Sequence, residues 1–425
     1  MHPIILLALF SYIMMSISAF IYPPLILVPG MSDSQIEAKV APPLSFNFLR
    51  YCDYIQWLTA LLNPNTYFII YWNAWLWLPF LNKCTVYFLR LNYNNVTRKA
   101  EDSPQIQTRV VGFGDPYWIE WYDYEWTTDW LPFFGIDSYY RTLAVALKSL
   151  GYTRNVSLRG APYDFRKGLS ESREYFNKLK ILVEDTYKIN GNKQVVLVTH
   201  SYGGTMVLSF LRAQTQKWKD KYIKSMISLA GVIGGSVMTI KEYILGDWLS
   251  YSSSKRIDND IIKLSRSFPS TANLMPIQEL WGNEVLVSRP QKNYSCSNIK
   301  ELYEDLNDPN GYEMWKDQQP FVSLEPPGVE FHCFYSTTDK DMTAEKLVYD
   351  YEYYFPQKPR IEMGPGDTYV NLRSLDYCKK WKKQQRQAVY VKHFFNMTHV
   401  QILHNQGSVD YVTQVLRGYA KKIEI

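Results

Sequence analysis

An α/β architecture, a mostly parallel sheet covered by helices on both faces, is predicted by three observations. Short apolar, β-branched runs recur along the chain, as in "PPLILVPG" (23–30), "QVVLV" (194–198) and "KSMISLAG" (224–231). Amphipathic helical patterns separate them, notably 138–152 and 172–190. Near-continuous apolar strands without polar alternation belong to sheets buried on both sides, which parallel connections produce. A chain of 425 residues with 46% apolar content can bury such a core.

Each element has a local reason. "PPLILVPG" ends at a Gly turn, and "SYYRTLAVALKSLGY" stops near Gly151. The rhythm breaks from about 233 to 325, where polar, irregular sequence reads as a cap or lid. It resumes with "VEFHCFYS" (329–336), "QAVYVKHFF" (387–395) and a closing helix over 408–420. No internal repeat is present, so one elaborated domain over 20–425 is expected.

The N-terminal residues 1–19 carry an apolar stretch followed by small residues, the pattern of a cleaved signal peptide. Sequons at Asn95, Asn155, Asn293 and Asn396 agree with export; Asn396 lies three residues before His399, where a glycan would obstruct a site built on that histidine. The cysteines (Cys52, Cys84, Cys296, Cys333, Cys378) include no C-x-x-C pair, which argues against zinc or thioredoxin-like chemistry. An oxidising compartment would leave two disulfides and one free thiol. The net charge of +5 is mild, and no basic stripe or nucleic-acid motif is present.

Chemistry concentrates at "QVVLVTHSYGGTM" (194–206). A strand runs into His-Ser-Tyr-Gly-Gly and then a helix, close to the G-x-S-x-G elbow of serine hydrolases, with Thr199 at the first glycine. A serine hydroxyl needs a base, and six histidines are available. His2 lies in the signal segment, His200 adjoins the serine with its ring turned elsewhere, and His332 sits in a strand pattern. His393, His399 and His404 remain; His399, on the loop after the last strand, is best placed. For the acid, Asp339 and Asp341 follow a strand, whereas Asp367 occupies a Gly-rich turn whose amides could hold a carboxylate. Local chemistry leaves the acid open.

Together these motifs resemble the lecithin:cholesterol acyltransferase and lysosomal phospholipase A2 family, and the phospholipase branch more closely. The resemblance rests on "LILVPGMSDSQIEAKV", "VVGFGDPY", "RGAPYDFR", "VTHSYGG", "KWKDKYIKSMISLAG", "PPGVEFHCFYS", "GDTYVNLRS" and "MTHVQIL", in order along almost the whole mature chain. It implies an α/β-hydrolase fold with a triad of Ser201, Asp367 and His399. It also implies an oxyanion hole from the backbone amides of Tyr202 and Met31, with Ser32 as the alternative to Met31. Disulfides Cys52–Cys84 and Cys333–Cys378 follow from the same resemblance, leaving Cys296 free.

By the same resemblance, the aromatic-rich insertion 51–84 is a membrane-docking unit. Trp72, Trp75 and Trp77 suit the headgroup level of a bilayer or lipoprotein surface, while Asn73 and Pro79 break the apolar run. A phospholipid acyl donor is expected, water or a lipophilic alcohol as acceptor, no metal or other cofactor, and a monomer that is secreted or lysosomal. A sterol acyltransferase and a catalytically degenerate lipid-binding protein are the alternatives. The chain departs from the family at Thr199, at Met31, at Thr368 and Tyr369, and at Ile233, where the family places a pocket Trp.

Overall fold

The computed structural model describes residues 22–41, 66–71, 82–121, 138–246, 259–350 and 358–421. The expected signal peptide, Cys52 and the three docking tryptophans lie outside these residues. Six parallel strands form the central sheet: β1 (Leu25–Val28), β2 (Leu158–Gly160), β3 (Val195–His200), β4 (Ile223–Leu229), β5 (Phe331–Thr337) and β6 (Val389–Phe395), in the order β6–β5–β4–β3–β1–β2. Every residue of β1, β3 and β5 is buried. Successive side chains on a strand point to opposite faces, so both faces of the sheet are covered.

The cover comes from the predicted helices. Helix α1 (Arg141–Ser149) buries Leu143, Ala144 and Leu147, and packs against α4 (Gln406–Lys421). Helix α2 (Arg173–Ile189) buries Leu179, Leu182 and Val183 against β3. Helix α3 (Tyr202–Arg212) follows β3 directly and is buried on nearly every position, as expected of a central element. Among the described residues, no helix is long and apolar enough to cross a membrane.

The stretch read as a cap or lid is largely helical, with Val237–Leu245, Asn259–Arg266, Pro269–Leu274, Gln278–Trp281, Ile299–Asp305 and Pro309–Gln318. These helices run only 4 to 10 residues each, shorter than the roughly 11- to 18-residue window over which a helical period is read from sequence. Many of their apolar residues join Ala344, Leu347 and Tyr349 in a second core. A small four-stranded sheet underlies it: Asn293–Tyr294, Val287–Ser288, Thr343–Val348 and Arg360–Gly364.

Among the described residues, one disulfide has both of its partners placed. Cys333 on β5 is bonded to Cys378, with Cα atoms 6.5 Å apart. Closing that loop is worth about 4 kcal/mol in the chain-entropy model. Cys84 is also disulfide-bonded, and Cys296 is a buried free thiol whose pKa burial pushes up to about 12. In "RGAPYDFR", the fully buried Arg166 donates to Asp164 (2.7 Å), to the Thr108 hydroxyl (2.6 Å) and to the Leu89 carbonyl (3.2 Å), with Asp102 3.2 Å away. A buried guanidinium needs this many acceptors, and the loop after β2 is pinned as a result.

Candidate active site

Strand β3 ends at His200, and Ser201 turns the chain with φ 51° and ψ −127° before α3 begins. That conformation is strained for a residue with a Cβ and persists because its surroundings hold it. The Ser201 amide donates to the Leu229 carbonyl at 3.1 Å. A Cβ at Gly203 would sit 2.3 Å from the Pro29 carbonyl oxygen, and one at Gly204 would sit 3.2 Å from Gly231 Cα. Only glycine lets α3 start this close to β1 and to the turn after β4.

The loop after β1 lies against the serine. A Cβ on Gly30 would meet Ser201 Cβ at 3.0 Å and His200 Nδ1 at 3.1 Å. Met31 follows at once, and Ser32 adopts a positive φ of 71°. Among the described residues, neither the Met31 nor the Tyr202 amide donates to another group. The Tyr202 amide is one of the first-turn donors that a helix leaves unmatched. Its side chain is anchored elsewhere, the hydroxyl donating to Asn273 Oδ1 at 3.0 Å.

The acid turn is the most completely bonded part of the site. Asp367 is fully buried, and one carboxylate oxygen accepts from the amides of Tyr369 (3.0 Å) and Val370 (2.7 Å). The other faces His399 Nδ1 at 2.7 Å, and the Asp367 carbonyl accepts the His399 amide at 2.6 Å. Because a carboxylate only accepts, Nδ1 carries the proton and Nε2 keeps its lone pair. Thr368 pays for the turn with φ 87°, while its amide donates to Thr343 Oγ1 at 3.0 Å. The turn is also tied to the helix Val237–Leu245: the Ser236 hydroxyl donates to the Tyr369 carbonyl, and the Val237 amide to Asn371 Oδ1 at 3.1 Å.

The other sequence candidates are exposed or bonded elsewhere. Asp339 and Asp341 are exposed. His393 bonds Thr337 Oγ1 at 2.8 Å and stacks on Tyr335. His332 is held by Glu330 and the Tyr419 hydroxyl. Among the described residues, His404 reaches only Thr142 Oγ1, at 3.5 Å. Among the described residues, no hydrogen bond joins the Ser201 hydroxyl to His399. The ring of His399 nevertheless lies beside the elbow, 4.8 Å from that of His200, with Tyr369 5.4 Å away.

This arrangement can do acyl transfer: a serine on a sharp turn, a histidine with a free Nε2, a buried carboxylate behind it and two open amides. The family model for lecithin:cholesterol acyltransferase matches residues 67–319 and 312–406. The chain belongs to the lecithin:cholesterol acyltransferase family. It is 33% identical over 404 residues to the lysosomal phospholipase A and acyltransferase of Homo sapiens, covering 93% of this chain and 91% of that relative. Against the phosphatidylcholine-sterol acyltransferase of Gallus gallus it is 33% identical over 386 residues, covering 90% and 87%. The chain titled "The crystal structure of Tle4-Tli4 complex" superposes with a TM-score of 0.50 at 11% identity, covering 94% of this chain and 98% of that one. That likeness shows the fold alone.

Within this lecithin:cholesterol acyltransferase family member, the departures take physical form. Thr199 is fully buried and its hydroxyl has no hydrogen-bond partner, an ordinary cost of about 1–3 kcal/mol. Ile233 is buried within the main core. Sequence reasoning set His200 aside, yet its ring is bonded on both sides, to the Tyr139 hydroxyl and to the His399 carbonyl. The only local signal was that a histidine precedes the serine; its partners are brought in by the fold.

Proposed function

We propose that this protein is a phospholipase A and O-acyltransferase that works through a Ser201 acyl-enzyme. His399 Nε2 takes the Ser201 proton as the hydroxyl oxygen attacks the ester carbonyl of a phospholipid. Asp367 holds the imidazole in the required tautomer and stabilises the imidazolium that forms. The amides of Met31 and Tyr202 receive the oxyanion; one such donor is worth about 100- to 1000-fold in rate. His399 then returns the proton to the lysophospholipid oxygen as it leaves. Water, or a lipophilic alcohol, next attacks the acyl-enzyme with His399 again as base, releasing a fatty acid or a new ester.

The single observation that carries this reading is the buried Asp367–His399 pair, 2.7 Å apart, beside the strained Ser201 elbow. The human relative, a phospholipase A and acyltransferase by name, supports the substrate class. We place the protein on the secretory route, secreted or lysosomal, with residues 1–19 removed and segment 51–84 docking on a lipid surface. The exposed Asn95, Asn155 and Asn293 suit glycosylation. The equally similar avian sterol acyltransferase supports a second reading that differs only in acceptor.

The test is incubation of the purified protein with phosphatidylcholine liposomes, with and without a hydrophobic alcohol, from pH 4 to 8. Fatty acid and acyl-alcohol are expected from the wild type and neither from Ser201→Ala. Product only with a sterol acceptor establishes the second reading. No product above the Ser201→Ala level leaves a lipid-binding protein and ends both enzyme readings.

A further inference from the structure

A chain of hydrogen bonds crosses from the loop after β1 to the loop that carries the base. The Gly30 amide donates to the Tyr139 hydroxyl oxygen at 2.9 Å, and that hydroxyl lies 2.6 Å from His200 Nδ1. On the far side of the ring, His200 Nε2 lies 3.1 Å from the His399 carbonyl oxygen. A carbonyl oxygen only accepts, so Nε2 bears the His200 proton and Nδ1 is bare. The Tyr139 hydroxyl must therefore donate to Nδ1, and its oxygen is left to accept from Gly30. Every donor in the chain runs in one direction.

The surroundings support that assignment. His200 is 1% exposed and Tyr139 fully buried, so water cannot replace a lost partner. Burial pushes the His200 pKa below its ordinary value, which favours the neutral ring. Asp33 Oδ2 stands 3.9 Å from Nδ1, much farther than the Tyr139 hydroxyl at 2.6 Å, and its charge opposes the depression without reversing it. His399 is thereby held at three points: its amide and its Nδ1 by Asp367, and its carbonyl by His200.

We propose that His200, with Tyr139, is a positioning residue that sets the distance between the oxyanion loop at Gly30–Met31 and the base at His399. Neither side chain touches the reacting atoms. Their effect is to keep two loops, contributed by opposite ends of the sequence, in register across the serine. This rests on the proposed role of Ser201, Asp367 and His399, and the tests below separate the two.

Three measurements decide it. Steady-state hydrolysis of a soluble p-nitrophenyl ester, normalised to sites titrated with a fluorophosphonate, reads kcat per folded enzyme. His200→Leu and Tyr139→Phe should each lower kcat by about 10- to 100-fold with KM nearly unchanged, the scale of a misplacement near 1 Å. Because the two act as one unit, the double variant should lose no more than the worse single one. His200→Gln, which keeps an N–H near the position of Nε2, should recover much of the loss seen in His200→Leu. Losses that multiply in the double variant, or equal behaviour of Leu and Gln at 200, would overturn the proposal and leave a packing role only. Histidine 15N spectra require no turnover: they must show His200 as the neutral Nε2–H tautomer at pH 7. An imidazolium or an Nδ1–H tautomer overturns the assignment even if the enzyme is active. Failure of the wild type and Ser201→Ala to differ in fluorophosphonate labelling would instead defeat the catalytic reading, with the spectra still judging His200.

Discussion

The two halves of the site are bonded in opposite ways. On the acid–base side, Asp367 has both carboxylate oxygens and its carbonyl engaged, and His399 has its amide, carbonyl and Nδ1 engaged. On the elbow side, the Met31 and Tyr202 amides and the Ser201 hydroxyl have no partner among the described residues, and the buried Thr199 hydroxyl has none. Saturation fixes an orientation before any substrate arrives, whereas open donors stabilise charge that appears only during reaction. The comparison teaches where substitutions should act: on the saturated side they disturb a tautomer, on the open side they disturb a distance.

The largest effect should come from breaking the saturated side without moving it. Asp367→Asn preserves shape, but its amide can donate to His399 Nδ1 and stabilise the wrong tautomer. A kcat loss of about 10,000-fold, near 5.5 kcal/mol, is expected, with the fold intact by circular dichroism. Asp339→Asn, at an exposed position, should leave kcat unchanged. The reverse ranking in the ester assay would show that the acid lies elsewhere.

Next is a change of distance on the open side. Gly203→Ala places a methyl 2.3 Å from the Pro29 carbonyl, so α3 or the loop after β1 must shift. Overpacking of this kind costs about 1–3 kcal/mol in stability. Displacement of the Met31 amide, the proposed oxyanion donor, should also lower kcat by roughly 100-fold. Gly418→Ala provides the contrast, since its Cβ would meet nothing within 4 Å inside a helix. It should stabilise by up to about 1 kcal/mol in a urea melt. If the Gly203 variant melts and turns over like the wild type, the close approach at the elbow has no consequence.

How far the sequence revealed this contrast depends on the range of each signal. The elbow was legible because it is local: a Val-rich run, a serine and two glycines within eleven residues of chain, from Val195 to Thr205. Asp367 was legible in part, since "GPGD" announces a turn with free amides, although the residues alone did not rank it above Asp339. The Cys333–Cys378 pairing came from family resemblance, and spacing could not have supplied it. The helices between Val237 and Gln318 were not legible because their short faces divide between the main core, through Leu264 and Leu274, and a second core assembled from residues as distant as Val237 and Tyr349. His200 was set aside because its partners lie 61 and 199 residues away. A histidine beside a serine has no sequence pattern that tells which way its ring turns.

A smaller effect links His200 to pH. Burial depresses its pKa, opposed by the nearby Asp33 and reinforced by His399. The unfolded chain then binds a proton near pH 6.5 that the folded chain refuses, so stability is full above that pH. It falls as the pH drops from about 6.5 toward the folded pKa, by at most ~1.4 kcal/mol per unit for one group. His404, also depressed by burial, adds a slope of the same sign. Urea melts at pH 5 and pH 7 should show this loss, and His200→Gln should reduce the difference between them. An unchanged difference would mean that His200 is not the group refusing the proton.

The smallest effect tests whether Thr199 belongs to the open side at all. Its hydroxyl is as unpartnered as the Met31 and Tyr202 amides, but it is sealed between β1 and β4 and close to where a Gly204 Cβ would lie, at 3.6 Å. A buried hydroxyl with no partner has lost its water and gained nothing in exchange. Thr199→Val keeps the branched shape and removes the oxygen, so a gain of about 1 kcal/mol in the urea melt is expected, with kcat unaltered. Should the valine variant lose activity instead, the hydroxyl would have to be serving the elbow during turnover, and Thr199 would move from the cost of the fold to the chemistry of the open side.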